Sequence, residues 1–129
     1  MENDCKLVKT TKHDFELFKK ECQKWIDFFG INEWQIQFKH TELSGCDAQC
    51  KTHYGCKWSY LSLATEIYEY DYSETLIKSC AAEEVCHLLL SPLCKEAENR
   101  YITEGEIRKT EHEIIRRLIN SLSKFINKS

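Results

Sequence analysis

The feature that most constrains the fold of this chain is a carboxylate within the apolar face of a helix. Apolar side chains recur every three to four residues over residues 73–90, which is the period of an amphipathic helix, and Ser73 is a good N-cap. The face that this period directs to the core consists of Ile77, Cys80, Ala81, Glu84, Val85 and Leu88. Because burying a carboxylate is costly unless it is paired or bound to a metal, Glu84 needs a specific environment. We expect this helix to lie against the core and to end before Pro92.

Two side chains close to Glu84 on this helix are of types that bind metal ions. Glu83 and His87 are four residues apart on an adjoining helix face, so both can reach one point in space. In the zinc-binding pattern H-E-x-x-H, two histidines at this spacing hold the ion, and the glutamate beside the first is the general base. His87 and Glu84 match the second histidine and the base, whereas Glu83 replaces the first histidine. A solvated glutamate–histidine pair is the simpler interpretation of the spacing alone.

The elements before this helix predict an α+β fold. Residues 11–29 have apolar side chains at helical spacing, and Gly30 follows as a C-terminal cap. Alternating apolar and polar side chains predict a strand at residues 34–38, and two more strands are expected at residues 48–53 and 57–63. We expect these strands to form a small, three-stranded, mostly antiparallel sheet beside the glutamate-bearing helix.

A last helix is predicted over about residues 106–127. Its apolar face consists of Ile114, Ile115, Leu118, Ile119, Leu122, Phe125 and Ile126. At about 100° per residue, Glu111 falls near the centre of this face and His112 near its edge. A catalytic zinc needs three protein ligands and one open position for water. Glu111 or His112 is therefore the expected third ligand beside Glu83 and His87.

Composition indicates one soluble globular domain spanning residues 1–129. Hydrophobic residues make up 42% of the chain and charged residues 30%. The net charge is -3 with acids and bases interspersed, so no nucleic-acid or anionic-membrane partner is expected. Residues 1–12 are polar, which argues against a secretory signal, and the longest apolar run, residues 88–90, is too short to span a bilayer.

The chain contains eight cysteines, which we interpret as reduced thiols of a cytosolic protein because nothing in the sequence indicates secretion. Three of them, Cys22, Cys80 and Cys86, fall inside predicted helices, where cysteine behaves as a small hydrophobic residue. A second, structural metal site is the alternative for Cys46, Cys50, His53 and Cys56. Their spacing, C-x3-C-x2-H-x2-C, lacks the usual C-x2-C knuckle, so free thiols are the favoured interpretation.

The order of these motifs resembles the small zincin metallopeptidases of phages and mobile elements, relatives of the SprT-like and ImmA/IrrE-like groups. The resemblance covers about residues 15–122 and is most specific at A-A-E-E-V-C-H-L-L-L (81–90) and E-H-E-I-I-R-R-L (111–118). It implies a minimal zincin-like domain with an N-terminal helix, a small sheet, an active-site helix and a C-terminal helix. It also implies one zinc ion held by His87 and by Glu111 or His112, with Glu84 as the catalytic base. The chain departs from the family at Glu83, where a carboxylate oxygen can bind zinc at much the same distance as an imidazole nitrogen.

The function that this resemblance implies is hydrolysis of peptide bonds by metal-activated water in a bacterial host cytoplasm. The partner would be a protein or peptide, which family analogy places as an added strand along residues 58–63. The alternative is a catalytically lapsed zincin scaffold that binds a host or phage protein, for example in an anti-defence role. Its contact surface would be the cleft or the aromatic group Tyr54, Trp58, Tyr60, Tyr68, Tyr70 and Tyr72.

Overall fold

A computed structural model of the chain describes residues 6–99 and 101–126 and has an α+β fold, as the sequence predicts. The helices of this part are α1 (Lys12–Phe29), α2 (Glu74–Glu98) and α3 (Glu104–Ile126). The strands are β1 (Leu7–Lys9), β2 (Gln35–Thr41), β3 (Ala48–His53), β4 (Trp58–Ala64) and β5 (Glu66–Tyr68). The core lies where α1 and α2 pack together over one face of the sheet formed by β2, β3 and β4.

The N-terminal helix begins and ends where the sequence predicts. The Thr11 side chain accepts a hydrogen bond from the backbone N–H of Asp14, and the Asp14 carboxylate accepts one from the backbone N–H of Thr11. Gly30 ends the helix in the left-handed conformation, at φ 66°. The Tyr72 hydroxyl also donates to Asp14 at 2.6 Å, which ties the segment before α2 to the start of α1.

The main sheet has the strand order β2–β4–β3 and is mixed. β3 and β4 pair antiparallel, but β2 pairs parallel with β4, from Gln35 opposite Trp58 to Thr41 opposite Ala64. The expected mostly antiparallel sheet is therefore wrong, because residues 42–47 carry the chain past the end of β4 and place β3 on its far side. β4 is hydrogen-bonded along both edges, so the expected addition of a substrate strand along residues 58–63 is also wrong.

A two-stranded ribbon that the sequence did not predict joins the start of the described chain to the segment after β4. β1 pairs antiparallel with β5, with Leu7 opposite Tyr68 and Lys9 opposite Glu66. Each strand has three residues, which is too short for alternation to be recognised in the sequence. The ribbon places residues 69–73 beside the start of α1, from where the chain enters α2.

The second helix continues through Pro92, so the prediction that it ends before this proline is wrong. Pro92 has no N–H to donate to the carbonyl of Leu88, four residues earlier. The Ser91 hydroxyl donates to that carbonyl instead, at 2.8 Å. The carbonyl is therefore satisfied although the backbone hydrogen bond is lost, and the helix runs on to Glu98.

The predicted core face of α2 is confirmed. Its buried members are Ile77, Ala81, Glu84, Val85 and Leu88, with Cys80 half-buried beside them. The fully buried side chains that face them from α1 and β4 are Phe18, Cys22, Leu61 and Leu63. Within residues 6–99 and 101–126, no helix has the length and apolar character needed to cross a bilayer.

The last helix turns a different side to the core from the one predicted. Its buried side chains are Thr110, Ile114 and Ser121. Its exposed apolar side chains are Ile115, Ile119 and Leu122, at 40%, 56% and 47% exposure. Among the described side chains, only one flank of the wide apolar face packs against α1 and α2, so the buried side is rotated by roughly 90° from the predicted centre. Glu111 and His112, expected to point inward, are both exposed, whereas the side chains of Phe125 and Ile126 and all of Asn127 lie outside the described part.

Candidate metal centre

Glu83, Glu84 and His87 come together on one turn of α2. Each offers one ligand atom, a carboxylate oxygen or an imidazole nitrogen, and these atoms all lie within 4.8 Å of one another. Two oxygens and one nitrogen suit zinc and other divalent ions, whose bonds to such atoms are about 2.0–2.2 Å long. The group that the sequence predicts on this helix is formed, and it can hold a metal ion.

Glu84 differs from the other two residues in its burial. It is 8% exposed, whereas Glu83 and His87 are exposed to solvent. Desolvation raises the pKa of the Glu84 carboxyl above its ordinary value, a shift that the nearby His87 opposes and the charge of Glu83 reinforces. Within the part of the chain that the structure describes, this carboxylate accepts no hydrogen bond. The Glu84 carboxyl, which is costly to bury, thus lies in the protein interior. Its nearest charged neighbours are the two candidate ligands, Glu83 and His87.

Cysteines from three elements surround the buried side of Glu84. Cys22 of α1, Cys50 of β3 and Cys80 of α2 all lie close enough for the Glu84 charge to raise their pKa, although burial is the larger cause for each. The pKa is raised to about 11 for Cys50 and to about 12 for Cys80. These thiols stay protonated at neutral pH, so they line the buried side of the centre but do not act as metal ligands. No pattern in the sequence connects Cys50 with Glu84, because only the position of β3 beside α2 brings the two residues together.

The centre lies beside an edge of the main sheet. Of the strands of this sheet, β3 is the one on which α2 mainly packs, and β3 is an edge strand of the β2–β4–β3 order. Alternate residues of β3 are buried or half-buried toward the helix, namely Ala48, Cys50 and Thr52. One edge of β3 pairs with β4, and its other edge has no strand partner among residues 6–99 and 101–126. An extended peptide can therefore approach this edge next to the turn that carries Glu84.

The expected third ligand is not part of this centre. Glu111 and His112 are exposed near the start of α3 and do not belong to the group of ligand atoms on α2. α3 meets α2 on another side, where Leu89 and Ile114 line a small cavity. At about 100° per residue, Leu89 lies roughly 160° around α2 from His87. The structure thus brings together three of the five predicted site residues and leaves Glu111 and His112 apart.

The four residues considered for a second metal site do not come together either. Among the described residues, the three on α2 are the group whose ligand atoms are close enough for one ion. Cys50 faces the core while His53 of the same strand is exposed. Cys46 and Cys56 lie beyond opposite ends of β3, which is about 17–20 Å long. The cysteines of the described part are free thiols, as predicted, and Cys5 lies outside it.

Comparisons of the chain with protein-family models, with curated proteins and with solved structures found no match. The zincin family therefore stays a prediction from the motifs within the chain. The interpretation of this centre depends on its own geometry, burial and donor atoms.

Proposed function

We propose that the protein is a zinc-dependent peptidase of the zincin type, with Glu83 and His87 as metal ligands and Glu84 as the general base. The observation that carries this proposal is a buried carboxyl with a raised pKa on the same helical turn as two exposed ligand residues. An ordinary solvated pair of Glu83 and His87 would not require a buried acid beside it. Zinc held there would polarise a peptide carbonyl and lower the pKa of a water molecule.

Glu84 carries out the proton transfers in this mechanism. Its carboxylate takes a proton from the attacking water and then gives that proton to the departing amine. Desolvation makes Glu84 a stronger base than an exposed glutamate and lets it keep the proton until the second transfer. Glu83 and His87 face solvent, so the side of the centre that meets the substrate is open.

The peptide substrate lies, in this proposal, along the free edge of β3 rather than along β4. Strand addition needs an edge with unpaired backbone groups, which β3 has and β4 does not. α2 packs on β3, so a peptide on that edge passes the turn that carries Glu84. By the resemblance of its motifs, we further propose that the protein is encoded by a phage or mobile element and acts in a bacterial cytoplasm.

The proposal is tested by separating metal binding from hydrolysis. Zinc content is measured by mass spectrometry on untagged protein, and hydrolysis is measured with a fluorescently labelled, unfolded casein. We expect Glu84→Gln to keep zinc and to abolish hydrolysis, because the base moves protons and does not hold the ion. Glu98→Gln is the matched control, since Glu98 is an exposed acid of the same helix. Hydrolysis that survives Glu84→Gln would contradict the mechanism.

A second function, a catalytically lapsed zincin scaffold that binds a host or phage protein, is favoured by a specific observation. The two acids Glu83 and Glu84 are adjacent, and neither Glu111 nor His112 completes a set of three ligands without Glu84. If Glu84 is itself a ligand, no base is left at the centre. The decisive variant is Glu83→His, which restores the H-E-x-x-H pattern. Zinc binding and hydrolysis by this variant, with neither in the wild type, would establish the lapsed scaffold.

A further inference from the structure

The face of the main sheet that points away from α1 and α2 carries an aromatic and basic surface. The register of the strands arranges it in three rows: Gln35–Trp58–His53, Gln37–Tyr60–Lys51 and Lys39–Ser62–Gln49. We refer to these residues as the outer sheet surface. Its glutamines, lysines and histidine are exposed, and Trp58 and Tyr60 in the central strand are half-buried between them. This surface is on the side of the sheet opposite the candidate metal centre.

The rings of this surface form a connected strip. The His53 ring stacks on Trp58 with centroids 3.9 Å apart and planes 21° apart. Tyr60 meets the Trp58 ring edge-on, with centroids 4.7 Å apart. The Lys39 ammonium lies 3.6 Å from the centroid of the Tyr60 ring. His53 therefore offers its free ring face as the end of a stack, and Lys39 covers Tyr60 with a contact that is weak at an exposed position.

The outer sheet surface is cationic on a chain that is acidic as a whole. The chain has a net charge of -3, yet the three rows contain two lysines and no aspartate or glutamate. Neither Lys39 nor Lys51 has an ion-pair partner in the described part of the chain. The net charge alone predicts no nucleic-acid partner, because it averages over all faces of the molecule. The strand register, in contrast, gathers cations and rings without any carboxylate between them.

We propose that the outer sheet surface binds single-stranded nucleic acid. Unpaired bases stack on aromatic side chains of an open sheet, and the backbone is held by nearby lysines. Here a base extends the stack at His53 and Trp58, a second base takes the face of Tyr60, and Lys39 moves from that ring to a phosphate. The exposed amides of Gln35, Gln37 and Gln49 face the same surface and can bond base edges. An acidic peptide matches the lysines but leaves the ring faces unused.

The test is fluorescence anisotropy of labelled dT15 and rU15 with the full chain at 50 mM and 200 mM salt. We expect binding of one or both that weakens as the salt concentration rises. His53→Ala and Trp58→Ala should each weaken it about tenfold, since each removes a stacking ring. Replacing Lys39 and Lys51 together by alanine should weaken binding by about tenfold and make its salt dependence shallower. The matched control replaces Lys20 and Lys78, exposed lysines of α1 and α2, and should bind as the wild type does.

The outcomes separate this proposal from its alternatives. His53 is exposed at the end of β3, so a folded His53→Ala variant keeps the test meaningful if Trp58→Ala fails to fold. Equal binding of the dT15·dA15 duplex, or equal displacement by polyglutamate, would overturn the proposal in favour of charge attraction alone. No binding of either oligonucleotide would overturn it in favour of a protein partner. His87→Ala should bind dT15 normally, so this result is independent of the proposed peptidase.

Discussion

Two helical turns of this protein carry the same kinds of side chain, but only one of them forms a cluster. On α2, Glu83, Glu84 and His87 meet around one point, and the middle acid is buried. On α3, Glu111 and His112 are both exposed. Each turn carries an acid within an apolar face that the helical period predicts to be buried, so this difference arises from the packing of the helices.

The two helices differ in how firmly packing fixes their rotation. α2 packs against α1, β3 and α3, so its rotation about its own axis is fixed and the Glu84 side chain must enter the core. α3 packs with one flank against α2 and α1 and leaves the other flank to solvent. An acid and a histidine on a helix therefore become a candidate site where packing from several sides desolvates one member of the group.

The largest expected effect concerns two cysteines on α2. If the turn around Glu84 is sealed, Cys80, whose pKa is raised to about 12, should react with a thiol reagent at pH 8 at least about a hundredfold more slowly than the exposed Cys94. The measurement is the reaction time course of wild type, Cys80→Ser and Cys94→Ser. All eight thiols should react once the protein is denatured without a reductant. Equal rates for Cys80 and Cys94 would show that the buried side of this turn is open to solvent.

The next effect is on zinc affinity, where the two helical turns are compared directly. Glu83→Ala and His87→Ala should each weaken zinc binding by at least about tenfold, because each removes a ligand. Glu111→Ala and His112→Ala should leave it unchanged, since these side chains lie apart from the centre. Isothermal titration with zinc gives all four values. A loss with either α3 variant would show that α3 supplies the third ligand after all.

A third prediction concerns the part of α2 beyond Pro92, on which α3 packs through the hydrogen bond from Thr110 to Glu96. Ser91→Ala should lower the free energy of unfolding by about 1–3 kcal/mol, because the Leu88 carbonyl loses its donor. In a Pro92→Ala background the same change should cost much less, since residue 92 then has its own N–H. Urea denaturation of the wild type, Ser91→Ala, Pro92→Ala and the double variant gives the four free energies of unfolding to be compared. Equal costs in both backgrounds would contradict the role given to Ser91.

The smallest effect distinguishes the buried acid from the exposed one in metal-free protein. A folded-state pKa above the ordinary 4.5 means that the charged form of Glu84 opposes folding above that pKa and ceases to do so below pH 4.5. Glu84→Gln should therefore stabilise the protein by about 1 kcal/mol at pH 7, and the gain should vanish as the pH falls through this window. Glu111→Gln should change stability by less than about 0.5 kcal/mol. Urea denaturation at several pH values measures both, and a gain that persists at pH 4 would contradict the assignment.

Local signals account for what the sequence predicted correctly. The apolar period and the cap Gly30 fix α1, and the apolar period of α2 fixes its buried face, Glu84 included. The cluster of Glu83, Glu84 and His87 follows directly, because all three residues belong to one helical turn. These features depend on residues within a few positions of one another, which periodicity and capping rules describe.

The wrong predictions all concern contacts between residues distant in the sequence, or a side-chain hydrogen bond that replaces a lost backbone hydrogen bond. The parallel pairing of β2 with β4 leaves no mark on either strand, because alternation is the same for both directions. The rotation of α3 depends on α1 and α2, which the period of α3 alone cannot specify. The passage of α2 through Pro92 depends on one hydroxyl, that of Ser91. The outer sheet surface likewise appears only once three strands are in register.

The mixed sheet also determines the order in which its strands can find their partners as the chain is synthesised. β2 is made first, but its neighbour β4 follows only after β3 is complete. Once β4 is present, the hairpin that it forms with β3 across residues 54–57 can close in about 1–10 μs and offer β2 an edge. Until then, the nascent chain carries β2 and β3, two strands that are not neighbours in the finished sheet. Their premature pairing is the error that this topology has to avoid on the ribosome.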